Sequence, residues 1–275
     1  MHSTNPKYLY LPNQFWSKHD LCFSLVSQIE EFVIDKQYNK LRYMSIPLTE
    51  HDLLPTDNEN LYEYLLRTNR KEEHDMFVYA NIVNALLMDT CYFLQEALDC
   101  SLKMRLSVTY ALLRKPFVYN LLVFLQLLYD DEFLDKFINN ESFDSTKVSN
   151  EDKKNLIRLS LKNSVSLKEE NVDDIYDVIF NKKNHDSIIN YSEKALHLST
   201  TRNDYKTEKM NLNFVFSTYN NNLSLWEYLY SKLPLLLLYL NDVLDSLVIP
   251  FVGIDDDSFH KRLLKRIDIF KNDVH

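Results

Sequence analysis

Arg67 and His74 stand with six residues between them in the segment RTNRKEEH, just ahead of a long apolar stretch. A histidine near a guanidinium suits a particular division of labour. The imidazole acts as general base while the arginine holds a phosphate. Those two roles would serve metal-independent RNA cleavage through the 2′-hydroxyl. The plainer account is a solvated helix start, with Glu72, Glu73 and Asp75 placed to favour the dipole.

A second polar cluster begins at His197 and runs through Thr200, Thr201, Arg202, Asn203 and Asp204. Read for chemistry, it is a phosphate- or nucleotide-binding loop. Arg202 is its anion partner, Asn203 a ligand-binding neighbour, and His197 an acid or base. Read for structure, it is a turn after a helix, since Asn and Asp supply turn chemistry and histidine suits a helix C-terminus. Arg114-Lys115-Pro116 interrupts an apolar helix, and is either a contact for an anionic ligand or an exposed turn or kink.

The dipeptide His-Asp occurs at His19-Asp20, His51-Asp52, His74-Asp75 and His185-Asp186, using half of the eight histidines. A metal phosphohydrolase of the HD type combines such a step with a distant His and Asp to hold divalent ions that activate water. Asp is also a favoured N-cap, and three of the pairs precede apolar-periodic segments. No glycine-dependent phosphate loop is open to this chain, because Gly253 is its single glycine. The three cysteines are scattered and form neither a disulfide framework nor a zinc pattern. The expected cofactor and metal content is none.

The elements that must position these residues are helical. Residues 76–129 carry large apolar side chains at helical spacing, first Phe77, Ile82, Leu86, Phe93 and Ala97, then Leu106, Tyr110, Leu113, Phe117, Leu121, Leu125 and Leu128. This spacing predicts two long packed helices at the centre of an all-α protein. Before them, residues 1–18 read as an aromatic arm. A helix follows from Asp20, with Leu21, Leu25, Ile29 and Phe32 on one face, and a short one near residues 59–70. After them, Ser149 and Asp152, Ser166 and Glu169, and Ser224 and Glu227 mark three helix starts. A further helix is expected over 187–198. Pro234 should kink or split the helix that contains it. In the last helix, after Asp255, Asp256 and Asp257, the basic residues should face outward. Leu212, Phe214 and Phe216 alternate as in a strand, and with residues 43–46 would make at most a small two-stranded element.

The expected architecture is therefore a helical bundle around a long antiparallel helix pair. It is one domain over residues 1–275, with a helical lobe at 140–200. The apolar windows 117–129 and 233–249 contain Asn120 and Gln126, and Asn241, Asp242 and Asp245, so both are read as buried helices rather than spans. No signal peptide is evident. The expected location is the cytoplasm, away from the membrane. A net charge of −9 argues against duplex binding by bulk charge and leaves a local basic patch available to RNA.

Three passages, ALLRKPFVYNLLVFLQLLYDDEFLDKF, ALHLSTTRND and KMNLNFVFS, resemble those of a bacterial all-helical group whose outline is similar to the HEPN superfamily. The likeness covers roughly residues 74–250. It implies an arginine, four to six residues and a histidine at a helix start after the long pair. It also implies an RNase of a toxin–antitoxin or phage-defence system, or a binder of partners or nucleotides. Arg67 and His74 have that spacing but precede the pair; Arg202 and Asn203 follow it, with no histidine at the required distance. The leading expectation is a protein that acts on or binds RNA, with an antitoxin or other protein, or a second copy, as partner. The alternatives are a non-catalytic module that dimerises through the long helices, and the HD-type phosphohydrolase.

Overall fold

The computed structural model describes residues 6–50, 53–201, 206–207, 209–210, 212–214 and 218–273. Among these the chain forms eleven α-helices and no strand. They are α1 (Trp16–Ile34), α2 (Leu61–Arg67), α3 (Lys71–Leu102), α4 (Leu106–Arg114), α5 (Leu121–Tyr129), α6 (Phe133–Asn139), α7 (Asn150–Lys162), α8 (Val172–Ile179), α9 (Ile188–Leu196), α10 (Tyr219–Val252) and α11 (Asp256–Asp273). The long pair is α3 against α4 and the π turn, Lys115–Asn120, that joins α4 to α5. One continuous cluster of buried apolar side chains extends from Tyr8 to Ile249 and takes in residues of α7, α8 and α9.

The second axis of the core is α10, which contains the helix expected after Ser224 and the buried window 233–249. Thr218 caps it, and it runs for 34 residues, through Pro234 and Pro250, to Gly253. It begins five residues before the expected Ser224–Glu227 start, and Pro234 does not split it. A proline inside a helix costs about 3 kcal/mol. Burial of Trp226, Leu229, Tyr230, Leu233, Leu236 and Leu237 around it more than offsets that loss. Gly253 takes the left-handed conformation that ends the helix, φ 81°, and its N–H returns to the Ile249 carbonyl at 2.9 Å. With no other glycine in the chain, Leu9, Asn58, Asn69, Met104, Met210 and Phe214 adopt positive φ themselves.

Helix α1 packs on both α3 and α10, α4 on both α3 and α9, and α5 on α7 and α10. Between α4 and α5 the chain does not break at Pro116. It widens into a π turn, Lys115–Asn120, because proline lacks an N–H and crowds the carbonyl four residues back. The Ser149 cap forms as the pattern predicts, and the helix expected over 187–198 is Ile188–Leu196, capped by Ser187. Ser166 does not cap a helix; it donates to Asp242 Oδ1, 2.9 Å away, and α8 starts only at Val172. The alternating Leu212–Phe214 stretch and residues 43–46 are irregular; Phe216 lies outside the described residues. Without a partner strand, Phe214 instead lays its ring against Tyr110, with 6.1 Å between centroids.

The basic residues of α11 do not all face solvent. Arg262 and Arg266 are 6% and 2% exposed. Arg266 reaches Asp242 at 2.8 Å, Asp245 at 2.7 Å and Gln28 at 2.9 Å, while Arg262 reaches Asp245 at 2.8 Å and Glu31 at 2.9 Å. These bonds tie α11 to α1 and α10. They also supply the partners without which the buried carboxylates of α10 would be prohibitive.

Candidate functional site

Of the residues marked by the sequence, Arg67 and His74 have other partners. Arg67 closes on Glu59 with Nε 2.6 Å from Oε1 and Nη2 2.8 Å from Oε2, and on the Leu54 carbonyl at 3.2 Å. It fastens the chain that leads into α2. The Arg67 bonds, with help from the Thr56 amide, pull the Glu59 carboxyl down to about 2. His74 is 4% exposed in the first turn of α3. Its Nδ1 is 2.9 Å from Asp75 Oδ1, and Tyr62 meets the ring edge-on. The six-residue spacing thus yields two separately satisfied groups. Arg202 and Asn203 lie outside the described residues.

His197 and Arg114 do come together. Glu193, on the last turn of α9, stands 2.7 Å from Arg114 Nη1 and 3.2 Å from His197 Nε2. Arg114 also donates through Nε to the Tyr119 hydroxyl at 2.8 Å. The packing of α4 on α9 creates this junction, and the π turn contributes Tyr119 to it. Arg114 is held in place from two directions, with its guanidinium 5.4 Å from the Tyr119 ring centre.

Arg114 and Tyr119 form one wall of a cleft of about 420 Å³. The opposite wall comes from the start of α7, from Tyr176 on α8, and from the turn Phe180-Asn181-Lys182-Lys183. Its apolar floor is Val118, Leu122 and Ile189. Four basic side chains, Arg114, Lys153, Lys182 and Lys183, line it, and among the described residues no carboxylate does. Lys153 is half-buried, with Nζ 5.5 Å from the Phe180 ring centre. Burial first, and the nearby charge of Lys182 second, hold its pKa below the ordinary lysine value.

The turn bearing Lys182 and Lys183 is pinned by asparagines. Asn190, fully buried, donates to the Lys182 carbonyl at 2.9 Å and the Asn184 carbonyl at 2.7 Å. Asn184 donates to the Asp177 carbonyl at 3.0 Å, and Asn181 to the Asp177 carboxylate at 2.8 Å. The three lysines were not singled out by sequence. The available signal was the string NKKN between a helix end and a Ser cap, in an otherwise acidic chain.

The His-Asp pairs do not act as helix caps at the described positions. His19 is buried and shares a 2.9 Å hydrogen bond with the Tyr230 hydroxyl, while Asp20 accepts from Lys7 and from Tyr8. Asp75 lies inside α3, and Ser187, not Asp186, caps α9. His51 and Asp52 lie outside the described residues. Among the described residues, no group of three or more His, Cys, Asp or Glu side chains is placed to hold a metal ion. Cys22, Cys91 and Cys100 are buried thiols, and burial raises that of Cys91 to about 12. Comparison with protein-family models, curated proteins and solved structures returned no match.

Proposed function

We propose that the protein binds RNA, seating phosphates in the cleft formed by Arg114, Lys153, Lys182 and Lys183. The observation that carries this is the wall composition: four cations and no lining carboxylate, in a chain of net charge −9. Such a local field concentrates anions where the bulk charge would repel them. Tyr119, half-buried at its edge, adds aromatic surface of the kind on which unpaired bases stack. The HEPN-like outline of the sequence agrees with this use. In the catalytic form of the proposal His197, joined to Arg114 through Glu193, is the base for metal-free cleavage.

Fluorescence anisotropy with a short single-stranded oligoribonucleotide tests the proposal. Affinity should fall as salt rises, and Lys182→Gln should lower the slope of log K against log salt by about 0.7. No binding at low salt overturns it. Cleavage of the same RNA in EDTA, lost on His197→Ala, would establish the catalytic form; intact RNA would leave a binding protein.

The proposal places the protein in the cytoplasm, away from the membrane. Lys71–Leu102, Leu106–Tyr129 and Tyr219–Val252 are long and apolar enough to cross a bilayer. The aqueous reading is supported by the polar exposed positions of α10 between residues 221 and 231, Asn221, Ser224, Glu227 and Ser231, beyond which Leu235 is exposed.

A second reading, a module that pairs through its long helices, is favoured by the outer face of α3. There Ala85 and Tyr92 are exposed and Met88 is half-buried. Sedimentation equilibrium decides it: a dimer dispersed by Tyr92→Glu supports pairing, and a monomer at all concentrations removes it.

A further inference from the structure

We infer that the cleft takes a phosphate monoester, the terminal phosphate of an RNA end or of a mononucleotide, rather than only the internal diesters of a strand. This rests on the reading of the cleft as an RNA site and narrows it. Three features point this way. The first is shape. The cleft holds about 420 Å³ over an apolar floor and between aromatic side chains. That is pocket size for a small ligand, the usual range being roughly 300–1,000 Å³, and it suits one nucleotide better than a long strand.

The second is the charge such a ligand must carry. Lys153 and Lys182 both line the cleft close enough to repel each other, and no lining carboxylate relieves them. An internal diester brings one negative charge. A terminal phosphate monoester carries about −1.5 to −2 at neutral pH and has three acceptor oxygens. It can satisfy both ammonium groups and the free edge of the Arg114 guanidinium together. Glu193 already balances much of the Arg114 charge, so the unrelieved positive charge falls on the lysines.

The third is preorganisation. Asn190 fixes the Lys182 and Asn184 carbonyls, Glu193 and Tyr119 fix Arg114, and Lys153 stands on the first turn of α7 behind its Ser149 cap. The backbone that carries Lys182 and the Arg114 guanidinium are thus held in place, while the Lys182 and Lys183 side chains are exposed. Rigidity of this kind lowers the entropic cost of binding.

The test measures three probes on the intact chain by calorimetry. They are a short oligoribonucleotide with a 5′-phosphate, the same strand with a 5′-hydroxyl, and adenosine monophosphate. The phosphorylated strand should bind about tenfold or more tightly than its hydroxyl twin, as two additional charge-assisted contacts imply. The difference should grow as pH rises through about 6, where the monoester gains its second charge. In Lys153→Gln/Lys182→Gln it should vanish, with the circular dichroism spectrum unchanged, while Lys271→Gln should keep it.

Equal binding of the two strands, weakened alike by the double variant, overturns the monoester inference and leaves the RNA proposal standing. Tight binding of the mononucleotide with no binding of either strand supports the monoester site and removes RNA. No binding of any probe overturns both. Should the double variant unfold, competition by inorganic phosphate on the wild-type chain decides: displacement of the phosphorylated strand supports the inference, and its absence overturns it.

Discussion

Arg114 Nη1 stands 2.7 Å from Glu193 Oε1, and this contact fixes the guanidinium where α4 meets α9. The two residues are 79 positions apart in the chain, so neither suggests the other in the sequence. The contact also explains why Arg114 can face a cleft that already contains three lysines: its own charge is largely compensated.

Replacing Arg114 by lysine should therefore harm binding nearly as much as replacing it by alanine. The ammonium cannot donate to Tyr119 and face Glu193 while also offering a planar edge to a phosphate. We expect both variants to weaken RNA binding by about tenfold, or roughly 1.4 kcal/mol, in anisotropy titrations. A lysine variant with wild-type affinity would show that only charge matters at this position.

Arg67→Ala and His74→Ala should leave RNA affinity within about twofold of wild type, since Arg67 is bound to Glu59 and His74 to Asp75, and neither lines the cleft. The same titrations check this. A loss of tenfold or more for either would restore the expectation that the spacing of these two residues marks the site.

His19 should make the fold sensitive to mild acid. Burial lowers its pKa from 6.5 to about 4, so between those values the unfolded chain binds the proton that the folded chain refuses. Stability is complete above 6.5 and is lost as pH falls towards 4. From pH 7.5 to pH 5 the loss from this group should be about 2 kcal/mol. Urea denaturation at the two pH values, wild type against His19→Gln, isolates it. An identical pH dependence in the two proteins would remove His19 as the cause.

Arg266→Ala should cost about 3–5 kcal/mol, because it leaves Asp242 and Asp245 with a deficit of charge in a buried site. Lys265→Ala, one residue earlier, removes an exposed lysine whose half-buried partner Glu31 keeps its bond to Arg262, and should cost less than about 1 kcal/mol. Urea midpoints of the two variants give the comparison. Equal midpoints would mean that the buried network contributes no more than the surface pair.

Period and composition determined the all-α class, the long helix pair and the Ser149 cap. These are local properties: a 3.6-residue repeat and a hydroxyl three residues from an amide are both visible along the chain. A single glycine was enough to exclude phosphate loops that require several. Other features depended on remote partners. Pro234 reads as a break until the burial of its neighbours on α10 is known. Arg262 and Arg266 read as a solvated face until Asp242 and Asp245 are found opposite them. The alternation at Leu212 and Phe214 reads as a strand until Tyr110 takes the second ring.

The site divides in the same way. Arg114 could be marked from the sequence as a polar interruption of an apolar helix and His197 as the start of a polar cluster after one, but not as neighbours. Lys153, Lys182 and Lys183 were ordinary surface lysines on local evidence. Only the packing of α4 on α9, and of α7 and α8 beside them, collects these cations around one cleft. Charge proximity across 30 to 80 residues is set by how helices pack, and no local pattern encodes it.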